Sequence, residues 1–187
     1  MKCSVFIATS VDGFIAKKDG SVDWLHTVGK RGVDLGNEAD MGMARFMASV
    51  DCMIMGRKTM DVINSMNLAA EDWPYGDTRI IVLSHSLHEP PKGMEDKIEI
   101  YGGDIISLMQ RLEREGHSHA YVDGGTTIQA FIDRQLIDEM TITRVPVLLG
   151  EGIPLFGRTA KEVNLEQCSA KAFANDFMQE HYKLNYL

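Results

Sequence analysis

Short apolar runs alternate along this chain with stretches whose apolar residues recur at helical spacing. Val5 to Ala8 and Asp51 to Met55 read as strands, and between them Glu38 to Val50 places Met43, Met47 and Val50 on one face of a predicted helix. That is a βαβ pattern. Arg79 to Leu83 is apolar without alternation, the character of a strand covered on both faces, and Ile98 to Tyr101 reads as a shorter strand. Asp104 is placed to N-cap a helix whose stripe is Ile105, Leu108, Met109 and Leu112, and Gly116 to end it. His119 to Asp123 is the next predicted strand. Thr126 then caps a helix presenting Ile128, Phe131 and Ile132 to the core, and Ile137 to Val145 returns as a strand.

The pattern changes after the loop Gly150-Glu151-Gly152-Ile153-Pro154. Val163 to Ala172 and Asp176 to Tyr186 read as two strands joined by a tight turn at Ala174-Asn175, with Met178, Tyr182, Leu184 and Tyr186 alternating against Gln179, His181, Lys183 and Asn185. Such an antiparallel hairpin extends a mostly parallel sheet at one edge. The predicted fold class is α/β: a mixed, mostly parallel twisted sheet flanked by helices, in a single domain over residues 1–187.

Composition narrows the function. The chain has 187 residues, 44% apolar and 25% charged, enough for one substantial core. A net charge of -8 argues against nucleic acid or an anionic membrane as partner, since both demand clustered Lys and Arg. No apolar run approaches membrane-spanning length, and the N-terminus enters Cys3 to Ala8 without a leader pattern. Cys3, Cys52 and Cys168 are odd in number, far apart and without a CxxC pair, so neither a disulfide framework nor a metal site is expected, and a cytoplasmic location is.

Two segments carry the chemistry. Met55-Gly56-Arg57-Lys58-Thr59 and Val122-Asp123-Gly124-Gly125-Thr126-Thr127 each read as a buried strand delivering glycine to a helix start, where free N–H groups can face a phosphate. Two such junctions suggest a dinucleotide. Gly56 lets the backbone approach, Thr59 adds a hydroxyl, Lys58 adds charge, and the Arg57 guanidinium suits a ribose 2′-phosphate. Taken alone, the first junction reads more readily as an ordinary βα turn with two solvated basic side chains. Leu83-Ser84-His85-Ser86 follows another buried strand with hydroxyls and an imidazole, and no GxGxxG fingerprint is present.

Ala8-Thr9-Ser10-Val11-Asp12-Gly13-Phe14-Ile15-Ala16, Gly20-Ser21-Val22-Asp23-Trp24, Met55 to Thr59, Asp123-Gly124-Gly125 and Pro146 to Gly152 together resemble the dihydrofolate-reductase-like superfamily. They are most similar to the branch containing the reductase domain of the riboflavin-biosynthesis deaminase-reductase. The resemblance covers nearly the whole chain. It implies a doubly covered mixed sheet, NADPH as hydride donor and a homodimer. On this resemblance Ala8 and Ile15 line the nicotinamide pocket, and Ser84, His85 and Ser86 contact the adenosine half.

Three acids are candidates for orienting substrate or relaying a proton. Asp12 belongs to an Asp-Gly pair after the first strand, which in this branch lies near the substrate, or it is a turn aspartate. Asp123 precedes Gly-Gly at a strand's C-terminal end. Asp40 lies three residues before Met43, and its spacing to Gly56 matches the substrate-binding acid of true dihydrofolate reductases; the alternative is an exposed acid in a first helical turn. Trp24 reads as a substrate-stacking lid residue or a surface anchor, and Trp73-Pro74-Tyr75 as a pocket entrance or loop packing.

One position departs from the branch. Where riboflavin-pathway reductases typically carry a lysine, two residues before the alanine of the first motif, this chain has Phe6. The zinc signature of the fused deaminase is also missing. The expectation is a stand-alone NADPH-dependent oxidoreductase of a small heteroaromatic or carbonyl substrate, related to 5-amino-6-(5-phosphoribosylamino)uracil reductase. Dihydrofolate reduction and a non-catalytic nucleotide-binding regulator stay open as alternatives.

Overall fold

Continuous apolar runs become the inner strands of an eight-stranded sheet in the computed structural model, which describes residues 1–66, 68 and 73–186. The strands are β1 (Lys2–Ser10), β2 (Phe14–Ala16), β3 (Cys52–Gly56), β4 (Arg79–Leu83), β5 (Ile98–Tyr101), β6 (His119–Asp123), β7 (Glu139–Val145), β8 (Ile153–Pro154), β9 (Asn164–Ala172) and β10 (Met178–Asn185). The helices are α1 (Trp24–Thr27), α2 (Met43–Met47), α3 (Arg57–Ser65), α4 (Ile105–Arg114) and α5 (Gly125–Asp133). The sheet order is β5-β4-β3-β6-β1-β7-β10-β9. Its first six strands are parallel; β10 runs antiparallel to both β7 and β9. β2 and β8 form a separate antiparallel pair.

Helices cover both faces, because alternate residues of the inner strands are apolar in both directions. α4 and α5 pack over Cys3, Val5, Ile54, Val122 and Met140, while α3 packs on the other face over Met53, Met55, Val82 and Tyr121. α4 forms as its pattern predicts. The Asp104 carboxylate accepts from the Ser107 amide at 3.0 Å, and Leu108 and Leu112 are fully buried, each worth about 1.5–3 kcal/mol. Gly116, at φ +96°, ends it in a Schellman motif: its N–H donates to Glu113 O at 3.1 Å and that of His117 to Leu112 O at 3.0 Å.

The structure departs from the sequence pattern at four places. The predicted Glu38–Val50 helix is a 3₁₀ turn, a left-handed pair at Met41 (φ 53°) and Gly42 (φ 87°), and the short α2. The Asp40 carboxylate takes the amides of Gly42 and Ala44, which competes with helical bonding there. Second, α5 starts at Gly125 with Gly124 as its N-cap, so Thr126 lies inside the first turn. Third, β2, α1 and β8 are too short to show a period and escaped it. Fourth, Tyr182, Leu184 and Tyr186 pack against the core, but Met178 is 45% exposed and β9 is exposed along all nine residues. The hairpin turn stands at Ala174-Asn175, closed by Asp176 N–H to Phe173 O at 3.0 Å. No described helix is long and apolar enough to cross a membrane.

Candidate active-site crevice

β3 and β6 are neighbours, yet the chain leaves them in opposite directions: through α3 toward β4 on one face, and through α5 toward β7 on the other. Such a switch point opens a crevice at the strands' C-terminal ends. The two helix N-termini meet there. A Cβ on Gly56 would lie 2.8 Å from Thr127 Oγ1, and one on Gly124 would strike Thr59 Oγ1. Gly124 also sits at φ +91°, where L side chains are strained. Neither α3 nor α5 has a side-chain cap, whereas α4, which follows the edge strand β5, has Asp104. Two open helix starts with glycine necks form a donor set that fits a pyrophosphate.

The β2–β8 pair closes one side of the crevice. A Cβ on Gly125 would lie 2.7 Å from Pro154 O and 3.1 Å from Ile15 Cδ1, so Ile15 abuts the start of α5. Gln129 Nε2 donates to Leu155 O at 3.0 Å and the Leu155 amide to Gly13 O at 2.9 Å, which tethers this flap.

On the other side, β1 parts from β6. Their pairing ends at Ser4–Tyr121, while β1 continues beside β7 to Ser10. The Tyr121 hydroxyl donates to Phe6 O at 2.8 Å in the gap, and Ala8 lies two residues further along. Two orphaned polar atoms flank that stretch: Thr9 Oγ1 and Trp24 Nε1 are buried without a partner. Trp24 is 2% exposed and packs in one cluster with Ala8 and Val145, so it is no surface anchor. An unmet buried donor costs about 1–3 kcal/mol, and a bound molecule supplying acceptors relieves it.

The other candidate cofactor residues are more peripheral. Arg57 and Lys58 are exposed, Arg57 standing 3.8 Å from Asp61 in a loose pair. Ser84 Oγ accepts from the Leu87 amide at 2.9 Å, shaping its own loop, and His85 and Ser86 are exposed beside it. Thr126 is exposed; Thr127 is buried against Gly56.

The three acids separate clearly. Asp123 lies on the α3 face in line with Tyr121, half-buried, and its carboxylate accepts its neighbour Gly124's N–H at 2.8 Å. Protein crowds the carboxyl, and burial overrides that hydrogen bond to push it up to about 6. The phenols of Tyr75 and Tyr121 are raised by burial first and then by this same carboxylate, so both stand near it. Asp12 is exposed and accepts from the amides of Leu149 (3.1 Å) and Gly150 (2.7 Å), pinning the β1–β2 loop to the β7–β8 loop. Burial raises its carboxyl, but Ser10 and those amides outweigh it and hold it below the ordinary value. Asp40 does not face the interior: it is exposed, with its carboxyl lowered by the Ala44 and Gly42 amides. Among the three, only Asp123 is enclosed.

No motif or spacing marks Phe46 in the sequence. It stacks on Phe6 from α2, and only the fold brings residues 6, 46 and 121 together. Asp51, Cys52 and His117 also converge, at the N-terminal ends of β3 and β6, opposite the crevice. There Asp51 takes the Ser118 amide and hydroxyl, and burial, then Asp51, pushes the Cys52 thiol up to about 12, a form that ligates poorly.

A family model described as the RibD C-terminal domain matches residues 2–179. The uncharacterized protein YwjB of Bacillus subtilis (strain 168) is 32% identical over 182 residues, 97% of each chain. The crystal structure of a putative riboflavin biosynthesis protein from Shewanella sp. PV-4 is 39% identical and superposes over 100% of both chains with a TM-score of 0.89. The Thermotoga maritima diaminohydroxyphosphoribosylaminopyrimidine deaminase/5-amino-6-(5-phosphoribosylamino)uracil reductase shares the fold at 12% identity and TM-score 0.70, over 97% of this chain and 56% of that one.

Proposed function

The chain belongs to the RibD C-terminal domain family, and from that membership we propose that it is an NADPH-dependent oxidoreductase of a small heteroaromatic or carbonyl substrate. Its kinship is with the reductases of riboflavin biosynthesis. The observation that carries the reading is the pair of uncapped, glycine-necked helix starts meeting at the switch point. When bound, the nicotinamide supplies a hydride.

The chain's own residues bind, orient and move a proton. The first turns of α3 and α5, with Gly56, Thr59, Gly124, Gly125, Thr126 and Thr127, hold the pyrophosphate. Arg57 and Lys58 add positive charge at the 2′-phosphate, and Ser84, His85 and Ser86 border the adenosine half. Ala8 and Ile15 flank the ring. Asp123 orients the substrate and exchanges a proton at its carboxyl oxygen, which its value of about 6 suits near neutrality. Trp24 borders the substrate, its indole N–H available as a donor. Asp40's exposure removes the feature that favoured dihydrofolate. Three free cysteines support a cytoplasmic location, and the exposed edge strand β9 supports a homodimer.

Fluorescence titration with NADPH and NADH tests the cofactor. Tighter binding of NADPH is expected; binding of neither below about millimolar sinks the assignment. Loss of NADPH absorbance on adding substrate then tests turnover.

A further inference from the structure

Aromatic rings from three elements cluster beside the crevice, Phe6, Phe46 and Tyr121, with the His119 imidazole edge-on to Phe46 at 6.4 Å. Phe6 stacks on Phe46 with ring centres 5.0 Å apart and 27° between the planes. Phe46 meets Tyr121 edge-on at 5.0 Å and 87°. Met43 and Met47 of α2 pack against the same cluster. Both phenylalanines are half-buried, so part of each ring is available to a ligand, whereas the Tyr121 hydroxyl is turned onto Phe6 O.

Asp123 adjoins this cluster. Phe6 and Asp123 each stand two residues beyond the last paired couple, Ser4 and Tyr121, and therefore on the same face of the sheet where β1 and β6 part. No cation answers Asp123: among the described residues it is in no ion pair, and its hydrogen bond comes from its neighbour Gly124's amide. A phosphate placed against these rings would meet aromatic carbon and, beside it, the like-charged Asp123 carboxylate, which no Lys or Arg pairs among the described residues. Arg57 and Lys58 begin α3 two and three residues beyond Met55, the register partner of Asp123, but both are exposed and Arg57 stands by Asp61 at 3.8 Å. A neutral planar ring fares differently: it stacks on the phenylalanines and turns its N–H groups to the carboxylate.

We propose that this chain selects a planar, phosphate-free heterocycle, with Phe6 and Phe46 as a stacking wall and Asp123 reading the ring's N–H groups. This substrate class rests on the reductase reading above. Phe6 is thus the specificity-determining position, and the reaction supplying the substrate delivers it without a phosphate.

A matched pair of substrates tests this directly. NADPH consumption is followed with 5-amino-6-(5-phosphoribosylamino)uracil and with its dephosphorylated counterpart, beside a fluorescence titration of NADPH. The phosphate-free compound is expected to have a kcat/KM at least about tenfold higher. Phe6→Lys should narrow or reverse that ratio while leaving the NADPH titration unchanged. Equal or better use of the phosphorylated compound by the native chain overturns the inference, with no need of the variant. So does reduction of neither compound while NADPH binds, which leaves the cofactor reading standing. If the native chain does not bind NADPH, the cofactor reading falls and the inference falls with it.

Discussion

Gly56, the N-cap of α3, and Thr127, in the first turn of α5, stand at helices on opposite faces of the sheet, yet a methyl group on Gly56 would lie 2.8 Å from the Thr127 hydroxyl oxygen. Real Cβ contacts do not come so close, so the glycine is what lets the two helix starts converge. Gly56→Ala is expected to cost about 1–3 kcal/mol of stability through overpacking and to weaken NADPH at least about tenfold. Thr127→Ala in the same chain removes the obstructing hydroxyl and should restore part of both losses. Chemical denaturation and fluorescence titration on the two single variants and the double variant measure the coupling. Strict additivity would mean that the close approach has no energetic consequence.

Arg57 separates charge from packing. It is exposed, and its pairing with Asp61 at 3.8 Å is long and solvated, so removing it should alter stability by no more than about 0.5 kcal/mol. Its place at the first turn of α3 suits the 2′-phosphate that distinguishes NADPH from NADH. Arg57→Ala should therefore raise the Kd for NADPH about tenfold and leave that for NADH nearly unchanged. Equal losses for both dinucleotides would place Arg57 on a shared part of the cofactor.

Asp123 ties the crevice to pH. Its folded value, about 6, lies above the ordinary 3.8 because burial disfavours the charged form. The folded state thus holds a proton that the unfolded state releases between about pH 4 and 6, and this group's contribution to stability falls as pH rises through that window. Acids with lowered values, such as Asp51, contribute in the opposite sense, so the native curve alone does not isolate the effect. The difference between Asp123→Asn and the native chain does: it should grow in the variant's favour from about pH 4 to 6, by on the order of 2–3 kcal/mol, and then level. Urea denaturation across pH measures it, and a flat difference would contradict a raised value. If the carboxylate form receives substrate N–H groups, kcat/KM falls below about pH 6 in the native chain, and Asp123→Asn loses that limb.

Parts of this architecture are written locally and parts are not. β4 and β6 match their runs residue for residue, because strands buried on both faces need no neighbour to reveal their period, and the edge strand β5 matches as well. α4 carries its own cap and stop in Asp104 and Gly116. The stretch from Glu38 to Val50 misleads because apolar spacing is blind to a left-handed Met41–Gly42 pair and to a side chain that binds backbone amides. At the site, both glycine junctions are legible, since each follows a buried strand directly. The ranking of Asp12, Asp40 and Asp123 is not: it depends on enclosure, which no spacing encodes. Nor is the wall of Phe6, Phe46 and Tyr121, whose members come from three separate elements.

Asp12 and Asp123 can be told apart by the kind of substitution each tolerates. Asp12 accepts from the Leu149 and Gly150 amides with its two different oxygens, a bracket between loops that needs acceptors more than a titrating proton. Asp12→Asn keeps one carbonyl acceptor and should retain much of the activity, whereas Asp12→Ala frees both loops and should raise KM for substrate several-fold, by about 3–10. Neither change should move the inflection near pH 6, because that inflection belongs to Asp123. For Asp123 the order reverses: Asn is nearly isosteric yet cannot ionise, so it should lose the pH limb and lower kcat at least about tenfold. Steady-state pH profiles of Asp12→Asn, Asp12→Ala and Asp123→Asn decide the matter. Disappearance of the limb in Asp12→Asn, with the limb intact in Asp123→Asn, would assign the proton to the loop acid instead.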